Sequence, residues 1–307
     1  MTNSPSPAAT PIAPELVCVG ESMILVTPSD GPLADASAAT IGIAGAESNV
    51  AAQVAAAGHR VAWASRLGDD PFADRILAEL RPRGIELWVE RDADAPTGVM
   101  FKDPGVIASS VHYYRRGSAA SRMRAGFLDG ARLAGVRIVH TTGITPALSP
   151  DCARMVDRLF ADARDVGALV SFDVNDRRAL WPLADAAPAL ARLANAADIA
   201  FVGRDEAERL WGTATPAGIR SLIPDAGILV VKDGEVGATA FAGASAPVFV
   251  PAPVVDVVEP VGAGDAYASG FLAATLDGLP LADRLAAGHA AAARVLTIPH
   301  DLPPLAR

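Results

Sequence analysis

A chain of 307 residues, 51% hydrophobic and 20% charged, can bury a large core, is too apolar to be disordered, and fits one main α/β domain with at most a small appendage. Twenty-six Lys and Arg against thirty-five Asp and Glu leave a formal charge of −9 with no dense basic cluster, which argues against a nucleic-acid partner. No apolar run is long enough to cross a bilayer, and the start MTNSPSPAATPIAPE has neither the basic flank nor the apolar stretch of a signal peptide, so a cytoplasmic protein without a membrane partner is expected.

Residues 1–14 read as a disordered Ser/Pro/Ala tail, with the folded domain spanning 15–307. ELVCVGE (15–21) is a short β-branched strand closed by a glycine and an acid, and AESNVAAQVAAAG has helical composition ending at Gly58. The strand HRVAWASRLG and the helix PFADRILAELRPRG follow. Two segments break this rhythm: 31–44 (GPLADASAATIGIA) and 86–116 (ELWVERDADAPTGVMFKDPGVIASSVHYYRR) hold short β-like runs joined by turn signals. They read as a small projecting sheet, placed to act as a lid. Beyond it come the strand VRIVHTTG, the helix SPDCARMVDRLFADARDVG, the strand ALVSFDVN, a helix near 184–196, the strand DIAFVG, the helix RDEAERLWG and the strand GILVVKDG. The repeated strand-then-helix order predicts an α/β fold, a mostly parallel sheet covered by helices on both faces. Ligands of such sheets bind beyond the carboxyl ends of the strands, which makes Glu21, Asp173, Asn175 and Lys232 candidate site residues. Cys18 and Cys152 show no metal-ligand or CxxC spacing and read as buried reduced thiols.

The stretch EPVGAGDAYASG (259–270) sets small residues before an acid and then enters a helical pattern. Gly262 and Gly264 let backbone amides approach an anion, and a helix starting near Asp265 aims free N–H groups and its positive dipole end at the same place. A plain turn followed by an Asp N-cap accounts for the same letters. Neither GxxxxGK[ST] nor a GxGxxG after the first strand is present, so P-loop and dinucleotide sites are not indicated.

VEPVGAGDAYASGFLAA resembles the C-terminal signature of the ribokinase-like (PfkB) carbohydrate kinases, and AGAESNVAAQVAAAGHRVAWASRLGDDPFADRIL is similar to their N-terminal signature. The likeness runs from residue 15 onward and implies a ribokinase-like three-layer α/β/α fold with a small projecting β-sheet lid. It also implies that Gly262, Ala263 and Gly264 form an anion hole for the transferred phosphoryl group, that Asp265 is the base on the sugar hydroxyl, and that ATP and Mg2+ are used. Phosphoryl transfer needs positioning and charge stabilisation more than covalent help, so this equipment suffices. The family's Asn-x-x-Glu motif stands here as GRDE, with Gly203 for the Asn and Glu206 retained to organise the metal's water shell. VKDGEVGA implicates Lys232, Gly234 and Gly237 beside the triphosphate, while a solvent-facing lysine and a hairpin turn read equally well. Glu259-Pro260-Val261 replaces the commoner Asp-Thr-Thr and lacks its hydroxyls. His289 and Ala292 fall where a late helix closes the family's adenine pocket, although a His on an Ala-rich helix is often a packing residue.

GESMILVTPSDG, YYRRGSAASRM and FDVNDRRALW resemble the 2-keto-3-deoxygluconate kinase branch of that family. The resemblance places Tyr113 and Arg115 at the keto-acid end, Asn49 with Gly45 and Ala46 on hydroxyls, and Arg177 on the carboxylate or the transferred phosphate; Asp173 and Asn175, at their strand end, are expected to line the same sugar pocket. A guanidinium fork binds a carboxylate through two oxygens, whereas a neutral sugar needs no charge. The alternatives are a neutral-sugar kinase (fructose, tagatose or ribose), a non-catalytic sugar-binding paralogue, or surface arginine pairs beside a core Tyr113. Glu21 reads either as a sugar-facing acid or as a loop anchor accepting backbone amides. The apolar face of the lid (LWVE, GVMF, VHYY) implies a homodimer that pairs lids.

Overall fold

The computed structural model describes residues 12–103 and 110–298. In chain order the elements are β1 (Leu16–Val19), β2 (Met23–Pro28), β3 (Ala39–Ala44), α1 (Ala46–Ala56), β4 (Val61–Gly68), α2 (Pro71–Leu80), β5 (Glu86–Asp92), β6 (Val99–Asp103), β7 (Ser110–Tyr114), β8 (Ile138–Thr142) and α3 (Ile144–Ala147). There follow α4 (Pro150–Asp165), β9 (Leu169–Asp173), α5 (Leu183–Asn195), β10 (Ile199–Gly203), α6 (Arg204–Trp211), α7 (Pro216–Leu222), β11 (Ile228–Asp233), β12 (Gly237–Ala242), β13 (Val248–Pro251), α8 (Ala263–Leu276) and α9 (Leu281–Leu296).

The large sheet runs β13-β12-β11-β10-β9-β8-β1-β4-β5. From β5 to β11 every pairing is parallel, and β12 and β13 add an antiparallel edge. Successive strand residues alternate faces. Val17 and Val19 pack with Met155, Leu159, Leu190 and Ile219 of α4, α5 and α7, while Leu16 and Cys18 pack with Val50, Ile76, Phe271 and Leu285 of α1, α2, α8 and α9. The result is a three-layer α/β/α fold. The caps follow the local sequence: Asp70 Oδ1 accepts the Ala73 amide at 2.9 Å ahead of Pro71, and Ser149 Oγ accepts the Cys152 amide at 3.1 Å ahead of Pro150. Cys18 and Cys152 are both buried and free. Among the described residues no helix is long and apolar enough to cross a membrane.

The second sheet, β3-β2-β6-β7, corrects the expected lid boundaries. Glu86–Asp92, expected in the lid, is the parallel edge strand β5, in register with β4 from Ala62↔Glu86 to Gly68↔Asp92. The β4-α2-β5 crossover carries it back to the large sheet, and β-like composition cannot tell which sheet a strand joins. Within 31–44 only Ala39–Ala44 is strand, and its partner is Met23–Pro28, which the expected lid omitted. Residues 104–109 of the expected lid and 1–11 of the expected tail lie outside the described residues.

Candidate active site

α8 begins at Ala263 after Gly262, whose φ of 82° is the left-handed conformation that glycine adopts without strain. The first helical bond runs from the Ala266 amide to Gly262 O at 2.9 Å, leaving the first-turn amides of Gly264 and Asp265 without intrahelical acceptors. The Asp265 carboxylate is held from two other elements: Asn49 Nδ2 donates to Oδ2 at 3.0 Å and Asn175 Nδ2 reaches Oδ1 at 3.5 Å. Asn175, at φ 36°, is the one positive-φ non-glycine residue among those described, a local strain at the position that aims its amide. Burial pushes the Asp265 carboxyl above its ordinary pKa, against the opposing effects of the Asn49 hydrogen bond and the Arg177 charge.

Beside it, Lys232 Nζ bonds Asp173 Oδ2 at 2.7 Å. Lys232 is therefore not the solvent-facing lysine of the alternative reading. Burial alone would lower its pKa, but the charges of Asp173 and Glu206 outweigh that and raise it. Glu206 caps α6 by accepting the Gly203 amide on Oε2 and the Asp176 amide on Oε1, both at 2.9 Å. Its own pKa is raised by burial, with Lys232 opposing. A side chain at Gly203 would start 2.9 Å from this same Glu206 oxygen, so the departure from Asn matches the tight fit of the cap.

Arg115, 6% exposed, pairs with the more deeply buried Glu21, and its guanidinium lies 5.5 Å from the Tyr113 ring centre. The Ser118 hydroxyl donates to the other Glu21 oxygen at 2.6 Å. Glu21 thus anchors a guanidinium and a hydroxyl, not the backbone amides of the loop-anchor reading. Arg116, Arg177 and Arg178 are exposed; Arg177 has no carboxylate partner among the described residues and donates to Asp176 O at 3.2 Å.

These groups open on two adjoining cavities. The first, about 460 Å3, is lined by Gly45, Ala46, Asn49, Tyr113, Arg115, Asp173, Asn175, Arg177, Glu206, Lys232, Gly234, Gly262, Gly264 and Asp265. The second, about 710 Å3, is lined by Lys232, Gly234, Gly237, Ala263, Gly264, His289 and Ala292 with the apolar Val254, Val255, Val257 and Leu296. They meet at Lys232, Gly234, Pro260 and Gly264. His289 serves two ends: it packs edge-on against Tyr267 and bonds Val250 O at 3.1 Å while bordering the cavity.

Sequence reasoning missed Met23, Ala44 and Met100, the lid side chains over the first cavity, and Asp205 on its wall. The period-two alternation of β2 and β6 carries that signal once the two strands are paired. It also missed Glu47, fully buried in the first turn of α1. Its Oε1 accepts the Thr142 amide at 3.1 Å and the Thr142 and Thr145 hydroxyls at 2.8 Å each, while Oε2 is unpartnered. Burial pushes its pKa up to about 7 despite those bonds. A Cβ at Gly20 would sit 2.1 Å from the Glu47 carboxyl carbon, so that glycine makes room for the acid.

A family model described as pfkB family carbohydrate kinase matches residues 13–301. The chain is 35% identical over 300 residues to the 2-dehydro-3-deoxygluconokinase of Bacillus subtilis (strain 168), covering 94% of this chain and 91% of that one. It is 34% identical over 299 residues to the 2-dehydro-3-deoxygalactonokinase of Haloferax volcanii, covering 94% and 92%. Among solved structures, a PfkB protein from Polaromonas sp. JS666 is 36% identical and superposes with a TM-score of 0.86, covering 94% of this chain and 98% of that one.

Proposed function

The chain belongs to the pfkB family of carbohydrate kinases, and from that premise we propose that it is a 2-keto-3-deoxygluconate kinase, transferring the γ-phosphoryl group of ATP to the terminal C6 hydroxyl. The observation that carries the chemistry is the Asp265 carboxylate, hydrogen-bonded to Asn49 at 3.0 Å and bordering the first cavity where it meets the second at Gly264. Sugar in the first cavity and nucleotide in the second would put the hydroxyl and the phosphate on either side of the glycine turn. Asp265 orients the hydroxyl and takes its proton as the O–P bond forms; the bond from the γ-phosphorus to the bridging oxygen breaks and ADP leaves. The turn amides and the Lys232 ammonium offset charge on the phosphoryl oxygens.

The apolar rim of the second cavity, with Val254 fully exposed and Val257 more than half exposed, fits a purine. Among the described residues no three His, Cys, Asp or Glu side chains converge on one point. Mg2+ would therefore come with the triphosphate, neutralising its charge, and Glu206, already holding two amides, suits a carboxylate that receives metal-bound water. The setting we assign is the cytosol, and a second copy would pair through the lid, whose edge strand β3 exposes Ile41 by 48%.

Arg115, Tyr113 and Arg177 supply the keto-acid end. One observation favours a neutral sugar instead: Glu21 already offsets the charge of Arg115. The deciding experiment is coupled ADP release with ATP and Mg2+ across 2-keto-3-deoxygluconate, its galactose-derived epimer, gluconate, fructose, tagatose, ribose and adenosine. Preference for the ketodeoxy acids is expected; preference for fructose or ribose would retain the kinase and overturn the sugar acid, and tight sugar binding with no turnover would leave a binding protein.

A further inference from the structure

One ion pair joins parts of the molecule that the chemistry above treats separately. Lys102, on lid strand β6, pairs with Glu259, 157 residues later and three before Gly262. Lys102 shares a strand face with Met100, which lines the first cavity. The other oxygen of Glu259 accepts the Val261 amide at 3.1 Å, inside the approach to the glycine turn. The Val258 and Glu259 amides both donate to Leu296 O, at 2.8 and 3.3 Å, so the same short loop is tied to α9. Both side chains of the pair are only 17% exposed, which withholds much of the screening that weakens surface pairs. Glu259 also stands in the triplet where this chain departs from Asp-Thr-Thr.

We propose that the Lys102–Glu259 pair is a latch between the lid and the phosphate turn, making both positioning residues for the phosphoryl transfer. With β6 seated over the sugar, the ammonium holds the carboxylate whose second oxygen fixes Val261, and through it the Gly262–Gly264 turn. Lid closure and turn placement are then one event, and the site excludes water at the moment the amides are in place. The latch rests on the kinase reading for its consequence, but its geometry can be tested without turnover.

The test compares Lys102→Met, which keeps the aliphatic stem and loses the charge, with Lys102→Arg, which keeps the charge. Hydrogen–deuterium exchange is followed in segments 99–103 and 258–266 of the unliganded protein. Exchange rising several-fold in both segments of Lys102→Met, and in neither segment of Lys102→Arg, is expected; acceleration confined to 99–103, or absent from both, overturns the latch. In the kinase assay, with whichever sugar the wild type accepts, Lys102→Met should lose about tenfold or more in kcat and release more inorganic phosphate per sugar phosphorylated. A wild-type kcat and phosphate ratio in that variant would overturn the positioning role. A wild type inactive on every sugar would sink the kinase reading alone, with the exchange result still deciding the latch.

Discussion

At the scale of single residues, the site turns on carboxyls whose protonation is set by burial. Asp265→Asn keeps an acceptor for Asn49 but cannot take a proton, so kcat should fall by roughly 10²–10⁴-fold with the thermal midpoint retained; wild-type turnover would remove Asp265 as the base. Because burial raises the Asp265 pKa, kcat/KM should decline as pH falls through a limb above the ordinary carboxylate range. Arg177 lowers that pKa, so Arg177→Gln should move the limb to higher pH; a limb that stays put would separate the two groups. Glu47 tests the same physics through stability. Its folded pKa of about 7 stands above its ordinary 4.5, so between these values the unfolded chain releases a proton that the folded chain keeps, and stability falls as pH rises. Glu47→Gln should flatten the urea midpoint over that window, recovering up to about 3 kcal/mol above pH 7, and an unchanged pH slope would refute the assignment. Asp265 and its glycines were legible as letters because a helix mouth beside small residues has a local signature. Glu47 was not, because an acid in the first turn of an Ala-rich helix looks like an ordinary dipole partner until β8 is packed against it.

At the scale of elements, α8 and α9 cross closely enough that Gly270 has no room for a side chain: a Cβ there would lie 2.3 Å from Ala287 O and 2.8 Å from the Ala291 Cβ. α8 carries Asp265 and α9 carries His289, so this crossing sets the distance between Asp265 and the second cavity. Alanine would gain about 0.5–1 kcal/mol in helix propensity, but overpacking costs roughly 1–3 kcal/mol. Gly270→Ala should therefore lower stability in urea and weaken ATP binding; a stabilised variant would mean that the helices separate freely. Helices and parallel strands were readable from period and punctuation. The sheet to which Met23–Pro28 and Glu86–Asp92 belong was not, since strand pairing is a long-range choice that a period of two does not encode.

At the scale of the whole molecule, the two cavities are built from segments spread from Met23 to Leu296. If the first holds a sugar acid, Arg115→Ala and Arg177→Ala should each raise KM for the ketodeoxy acid by about tenfold or more and leave KM for ATP unchanged; equal effects on both substrates would mean that the fold was damaged. A lid-paired dimer predicts that the protein sediments as a dimer at micromolar concentration and that Ile41→Lys shifts it to monomer. A monomeric wild type would remove that interface. By itself the sequence determined the layered α/β class, the glycine turn with its acid, and the kinase family, because these rest on local periodicity and on short motifs whose geometry is set by neighbours along the chain. Only the tertiary structure decided that Lys232 faces Asp173, that Glu21 holds Arg115, that β5 joins the large sheet and that Lys102 reaches Glu259. Each of those depends on which distant strand or charged side chain packing brings alongside, and no spacing along the chain records it.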